Sequence, residues 1–156
     1  TKNEAKKYIL KKIPLVSKVF QFNSVIGDIK LEYIEFKVLI YEVISKKKNN
    51  KIFRNETKKE TITMLVNTYN GHSESIDKIP NTLNKYISKS CIRESKINED
   101  DLVNVVKKEI ITRLTDRLRY DSIDKVSIQI NIVDIKSIYK PYWIADFRGR
   151  NIFIDP

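Results

Sequence analysis

Few residues in this chain have side chains that could carry out catalysis. Among 156 residues there is one histidine, His72, and one cysteine, Cys91. A Ser-His-Asp triad needs a histidine held by a carboxylate, and most metal centres need several His, Cys or carboxylate ligands. His72 lies in a polar stretch that we expect to be a solvated connector, and a lone cysteine on an apolar helix face is typical of a small buried residue. Three glycines cannot supply a phosphate-binding loop. We therefore expect a protein without enzymatic activity, cofactor or metal.

One fragment imitates a metal-dependent nuclease. Asp28, Glu35 and Lys37 resemble the acidic residue and the Glu-x-Lys element of such enzymes, and the protein is basic. Those enzymes bring the two carboxylates to one Mg²⁺ from adjacent strands. Here no turn separates Asp28 from Glu35, and one extended strand would hold them more than about 20 Å apart. The spacing thus favours a chance match.

The strongest electrostatic feature is a segment predicted to form a charged hairpin tip or loop, residues 46–60. The formal net charge of the chain is +10 and its pI is about 9.6, which favours an acidic partner. The cations could meet phosphates or an anionic membrane surface, and an aromatic ring among them could stack on a base. They could equally be the solvated lysines that protect a sheet edge from aggregation. The candidate residues are Lys46, Lys47, Lys48, Lys51, Phe53, Arg54, Lys58 and Lys59.

A second candidate surface is aromatic. Tyr139, Tyr142 and Trp143 flank Pro141 near the C-terminus, in a run of strand-forming residues. Alternation puts Tyr139 and Trp143 on one side of a strand and Tyr142 on the other. One side must be core, and the other could bind a partner protein, because tyrosine and tryptophan bury a large area at low entropic cost. Core on both sides is the alternative.

Periodicity and capping signals place the remaining elements. Residues 98–119 form the clearest helix, because Asn98 can cap it and a continuous apolar stripe follows. The stripe consists of Leu102, Val105, Val106, Ile110, Leu114 and Leu118. No apolar run approaches the length of a membrane span. The other predictions are helices at residues 3–12 and 81–95 and strands at residues 16–23, 29–45 (bent near 35–37), 61–69, 125–135, 138–146 and 151–155.

The two halves of the chain share an order of elements. Tyr41-Glu42-Val43 and Tyr142-Trp143-Ile144 both open a central strand, and Val66-Asn67 and Ile154-Asp155 both close a last strand. The expected fold is therefore α+β, with two helix-on-three-stranded-antiparallel-sheet repeats packed as one unit. Residues 1–78 would form the first half, with residues 46–60 as an insertion, and residues 79–156 the second, with an extra helix.

This pattern resembles the PepSY module, a small domain of one helix and an antiparallel hairpin. Glu4-Ala5-Lys6-Lys7 is similar to its helix, Tyr41-Glu42-Val43 to its central strand, and residues 66–71 to its closing strand and turn. Asn67 replaces the family's aspartate. The resemblance implies an interaction or regulatory module outside the cytoplasm, often near a membrane and often bearing on a peptidase. The expected function is thus non-enzymatic protein binding, and the alternative is nucleic-acid binding through residues 46–59.

Overall fold

The computed structural model describes residues 1–5, 7, 26–48, 55–121, 126–147 and 149–155. Its main feature is a five-stranded sheet with the strand order β3-β2-β1-β4-β5. The three strand pairs whose register is described, β1 with β2, β2 with β3 and β4 with β5, are antiparallel. The elements are β1 (Ile26–Lys48), β2 (Asn55–Asn67), β3 (Ser73–Ser75), a 3₁₀ turn (Lys89–Cys91), helix α1 (Glu99–Asp121), β4 (Val126–Phe147) and β5 (Arg150–Ile154).

Contacts divide the chain into two compact units. Unit 1 comprises Thr1–Ile34, Lys85–Glu94 and Tyr139–Pro156, and unit 2 comprises Glu35–Asn84 and Ser95–Ile138. The core of unit 2 lies between α1 and one face of β1 and β2. Leu39, Tyr41 and Val43 face it from β1, since alternate residues of a strand point to the same side. The other buried members of this core are Met64, Val66, Leu102, Val106, Ile110, Leu114 and Ile130.

Helix α1 begins as its sequence predicts. The Asn98 side-chain oxygen accepts a hydrogen bond from the Asp101 backbone N–H at 2.8 Å. Glu99, Asp100 and Asp101 load the first turn with negative charge, which the positive N-terminal end of the helix dipole favours. The predicted helix at residues 98–119 is therefore confirmed. Val105, placed in the predicted stripe, is instead 61% exposed.

The core of unit 1 is smaller. Ala5, Ile29, Ala145 and Ile154 are buried together, with Trp143 and Ile152 packed against them. Residues 2–5 and 7 are helical, in agreement with the start of the predicted N-terminal helix. The predicted strand at residues 16–23 lies outside the described residues.

The predicted pair of repeats is wrong. The strands that hold Tyr41 and Tyr142, β1 and β4, are neighbours in a single sheet, and only one long helix, α1, belongs to the described part of the chain. The bend expected near residues 35–37 is also absent, because β1 continues through them. Similarly, the two strands predicted at residues 125–135 and 138–146 form one strand, β4. Dense β-branched residues allow such long strands, and the predicted breaks rested on typical strand length alone.

The predicted helix at residues 81–95 is wrong as well. Residues 79–88 form neither helix nor strand, and only Lys89–Cys91 completes a 3₁₀ turn. Leu83, Tyr86, Ile87 and Cys91 have helical spacing, but a short isolated helix is marginal in water unless its apolar face packs on something. Asn81, Thr82, Asn84 and Ser88 all have modest helix propensity.

Candidate functional site

The most unusual surface is on the segment that follows β3. The Ile76 backbone N–H donates to the Thr63 carbonyl at 2.9 Å, which fixes the start of the segment to β2. Beyond it, Leu83 is 94% exposed and Tyr86 is 92% exposed. Single exposed apolar residues are common on soluble proteins, but two large side chains left almost wholly in water within four positions are not. We call residues 78–92 the exposed segment.

All charged residues of the exposed segment are basic. Lys78, Lys85 and Lys89 are all exposed. No aspartate or glutamate lies between residues 78 and 92. The segment therefore presents apolar side chains beside positive charge, with no negative charge of its own. This combination suits an acidic surface that also offers apolar contact.

The end of the exposed segment is anchored by residues just beyond and within it. Ile92 forms a parallel bridge with Tyr33 of β1. The Arg93 backbone N–H donates to the Tyr33 carbonyl at 2.9 Å, and its guanidinium donates to Glu32 at 2.8 Å. Arg93 also lies 5.5 Å from the centre of the Phe153 ring. These contacts fix where the exposed segment ends.

The Glu-x-Lys fragment forms a polar network in unit 2. The Lys37 ammonium lies 2.6 Å from a Glu99 oxygen and 3.0 Å from a Glu35 oxygen. It also donates to the Ser137 hydroxyl at 2.9 Å. The Ser95 hydroxyl donates to the second Glu35 oxygen at 3.1 Å. An ammonium has three protons to donate, and all three find acceptors here. The network therefore connects β1 with β4, α1 and the segment before α1.

Two charged groups of this network, Glu35 and Lys37, are held in their ionised forms. Burial acts to raise the pKa of Glu35, but hydrogen bonds from Ser137, Lys37 and Ser95 with the nearby positive charge lower it overall. Burial acts to lower the pKa of Lys37, but hydrogen bonds to Glu99 and Glu35 with their negative charges raise it overall. A lysine held as ammonium cannot act as a base or nucleophile. The network favours a structural role.

A cleft of about 450 Å³ opens at this network. Its surface is about equally polar and apolar, and its charged residues Glu35, Lys37 and Glu99 are engaged with one another. Thr68, in its floor, is buried and donates from its hydroxyl to the Glu35 carbonyl at 2.9 Å. The lining residues are Glu35, Lys37, Thr68, Ser95, Lys96, Ile97, Asn98, Glu99 and Leu102.

The nuclease-like fragment does not bring its two acidic positions to adjacent strands, as its spacing had indicated. Asp28 and Glu35 lie on the single strand β1, which separates their backbones by about 23 Å at the usual rise per residue. The side chain of Asp28 lies outside the described residues. Within the described ranges, no group of three or more His, Cys, Asp or Glu side chains could hold a metal ion.

The basic candidates lie partly at the paired ends of β1 and β2, residues 46–48 and 55–60, which we call the basic ribbon. Lys46, Lys47 and Lys48 pair with Thr57, Glu56 and Asn55 across it. Acidic side chains are interleaved among the cations. Lys58 lies 2.8 Å from a Glu60 oxygen and Lys59 lies 2.7 Å from a Glu42 oxygen. The predicted loop at residues 46–60 is therefore largely strand. Lys51, Phe53 and Arg54 lie outside the described residues.

The aromatic candidates lie on β4 in unit 1 and do not form one surface. Trp143 packs against the smaller core, opposite Ile154 of β5. Tyr142 meets Phe153 edge to face, with ring centres 6.2 Å apart. Tyr139 is 41% exposed, whereas Tyr142 and Trp143 are half-buried. Two of the three predicted contact residues therefore contribute at least part of their surface to packing.

Leu83 and Tyr86 were not predicted as surface residues, since their spacing had assigned them to a packed helix. The weak helix formers around them, Asn81, Thr82, Asn84 and Ser88, were the signal against that assignment. His72 is exposed and Cys91 is half-buried. In the described part of the chain, no helix is both long and apolar enough to cross a membrane.

Comparison with protein-family models, with curated proteins and with solved structures found no match for this chain. The PepSY resemblance stays a prediction, although the repeated architecture expected with it is not the one observed. Function must therefore be argued from the surfaces themselves.

Proposed function

We propose that this protein is a non-enzymatic interaction module that binds a partner protein through the exposed segment. The observation that carries the proposal is the exposure of Leu83 and Tyr86, at 94% and 92%. Burying a leucine or an aromatic side chain contributes about 1.5–3 kcal/mol each. The two side chains could therefore supply a substantial part of a micromolar affinity, which corresponds to about 8 kcal/mol.

Anchoring at both ends supports this role. The hydrogen bond from Ile76 to Thr63 and the bridge from Ile92 to Tyr33 hold the exposed segment at two places. Each tether lies within one compact unit, since Ile76 and Thr63 belong to unit 2 and Tyr33 and Ile92 belong to unit 1. A tethered peptide loses less conformational freedom on binding than a free chain, which favours affinity. The charge of the segment adds attraction to an acidic partner and raises the rate of encounter.

Nucleic-acid binding through the basic ribbon is less well supported. Lys58 and Lys59 already have carboxylate partners in Glu60 and Glu42. A cation held by a carboxylate must give up that partner to neutralise a phosphate, so it contributes less to polyanion binding. An extracytoplasmic location, implied by the PepSY resemblance, stays a prediction.

Photocrosslinking of the full chain tests the proposal. Tyr86 is replaced by p-benzoylphenylalanine, and the same replacement at Val105 serves as the control because that residue is also well exposed, at 61%, but lies on α1. The proposal predicts a discrete protein adduct from position 86, absent when Leu83 is also changed to aspartate. The purified adduct partner must then bind the unmodified chain directly. Equal labelling from both positions, or an adduct that survives Leu83→Asp, would reject it.

A further inference from the structure

The exposed segment combines a helical sequence pattern with a non-helical conformation. Leu83, Tyr86, Ile87 and Cys91 fall at positions i, i+3, i+4 and i+8, which place them on one face of a helix. In the structure, residues 79–88 are neither helix nor strand. Where local sequence pattern and observed structure disagree in this way, the site is often functional.

One 3₁₀ turn, Lys89–Cys91, already lies at the C-terminal end of this helical pattern. The Cys91 backbone N–H donates to the Ser88 carbonyl at 2.9 Å, and the Ile92 N–H donates to the Lys89 carbonyl at 3.1 Å. Forming the first turn is the unfavourable step in making a helix, and each later residue adds one hydrogen bond. Ser88, just before the turn, is extended, with ψ at 137°. Extension toward Asn81 therefore requires Ser88 to become helical and a surface to receive the apolar face.

The charge pattern indicates what that surface must be. As a helix, the segment would place Lys85 and Lys89 on the face opposite the apolar stripe, and Lys78 just before its start. All three are exposed, and the absence of acidic residues between positions 78 and 92 leaves this charge uncompensated within the segment. A basic amphipathic helix suits an apolar groove with an acidic rim.

We infer that residues 81–91 are a latent amphipathic helix that folds when it enters the apolar groove of an acidic protein. This rests on the proposed function, since it specifies how the exposed segment would bind. When a segment folds on binding, ordering the chain offsets part of the favourable interaction free energy. The net affinity is therefore lower, which favours a reversible complex. The segment in the free protein would then be the binding-ready but unfolded form of the recognition element.

Calcium-loaded calmodulin is the probe, because it is an acidic protein with a Met-rich groove that accepts basic amphipathic helices. The full chain is titrated by calorimetry, and helix content is followed by circular dichroism. We expect binding with a Kd below about 100 µM, a gain in helical signal, and loss of both in the Leu83→Asp, Tyr86→Asp double variant. No binding to calmodulin would overturn the inference, and so would tighter binding to phosphatidylglycerol vesicles than to calmodulin, which would indicate a lipid surface instead.

Two further variants separate a helical from an extended bound form. Asn84 and Ser88 lie outside the apolar stripe, and both are changed either to alanine or to threonine. Alanine favours helix and β-branched threonine favours extended backbone, so the alanine pair should bind roughly 5- to 10-fold more tightly than the threonine pair. Equal affinities, or the reverse order, would overturn the latent helix while leaving the proposed interaction through Leu83 and Tyr86 intact. Failure of the crosslinking experiment would instead reject the interaction itself.

Discussion

The Tyr41 hydroxyl donates a hydrogen bond to the Val103 backbone carbonyl at 2.9 Å, and so joins the central strand β1 to the first turns of α1. Tyr41 is completely buried, whereas Tyr142 is half-buried and lies edge to face with Phe153. The two tyrosines that had suggested a repeat therefore occupy different environments. The presence of a tyrosine on each strand follows from the general preference of tyrosine for strands.

Loss of the Tyr41 hydroxyl should weaken the fold in a pH-dependent way. Tyr41→Phe is expected to lower the free energy of unfolding by about 1 kcal/mol, and Tyr139→Phe, on the surface, by less than about 0.5 kcal/mol. Burial raises the pKa of Tyr41 to about 12, while the unfolded group titrates near 10. The native protein should therefore lose stability as the pH rises from about 10 to 12, and the phenylalanine variant should lose less over that window. Urea denaturation across this range measures both effects, and identical pH profiles would count against them.

Removal of the Lys37 ammonium should destabilise unit 2. Lys37→Met leaves Glu35 and Glu99 without their shared cation in a partly buried network, so we expect a loss of about 1–3 kcal/mol. Lys136 is the matched control, since it pairs with Asp134 at 3.2 Å on the surface. Lys136→Met should cost less than about 0.5 kcal/mol. Thermal melts at neutral pH make the comparison, and equal effects would show that the network adds nothing beyond a surface ion pair.

Alanine substitutions at two glycines should distinguish the cost of backbone strain from the cost of a steric clash. Gly71 and Gly149 have nearly the same positive φ, 74° and 75°. A Cβ at Gly71 would lie 2.8 Å from the Ile97 Cδ1 atom, while one at Gly149 would meet nothing within 4 Å. Gly149→Ala should cost about 1–2 kcal/mol from the left-handed backbone alone. Gly71→Ala should cost more, and this excess should disappear when the same change is made in an Ile97→Ala background, which is itself less stable. Equal costs in the single variants would mean that Ile97 moves aside freely.

Polyanion binding should be limited by the carboxylates of the basic ribbon. Glu42→Gln with Glu60→Gln releases Lys59 and Lys58 from their ion pairs, so the variant should elute from heparin at higher salt than the native chain. The slope of log affinity against log salt for duplex DNA should steepen by roughly one unit for each freed cation that reaches a phosphate. An unchanged slope would show that these pairs do not restrain the lysines.

The α1 helix, the strand-forming runs and the buried helix residues Leu102 and Val106 could be predicted from the sequence, because capping and apolar periodicity are local signals. Strand ends could not, since the break expected near Glu35 and Lys37 rested on typical strand length. The contacts of Lys37 with Ser137 of β4 and Glu99 of α1 are long-range and leave no local signal. The exposed segment was missed for the opposite reason. Leu83 and Tyr86 have helical spacing, but spacing alone does not reveal whether the folded chain has a surface against which they can pack.

Direct titration of the crosslinked partner, once purified, tests the central claim most closely. The full native chain and the Leu83→Asp, Tyr86→Asp variant are compared by calorimetry, with Val105→Asp as the control. Both side chains are almost fully exposed in the free protein, so the double variant should keep the native Tm. Its affinity should nevertheless fall by at least about 30-fold, as expected when two buried apolar contacts are lost. An affinity within about 2-fold of the native value, with the Tm unchanged, would contradict the account.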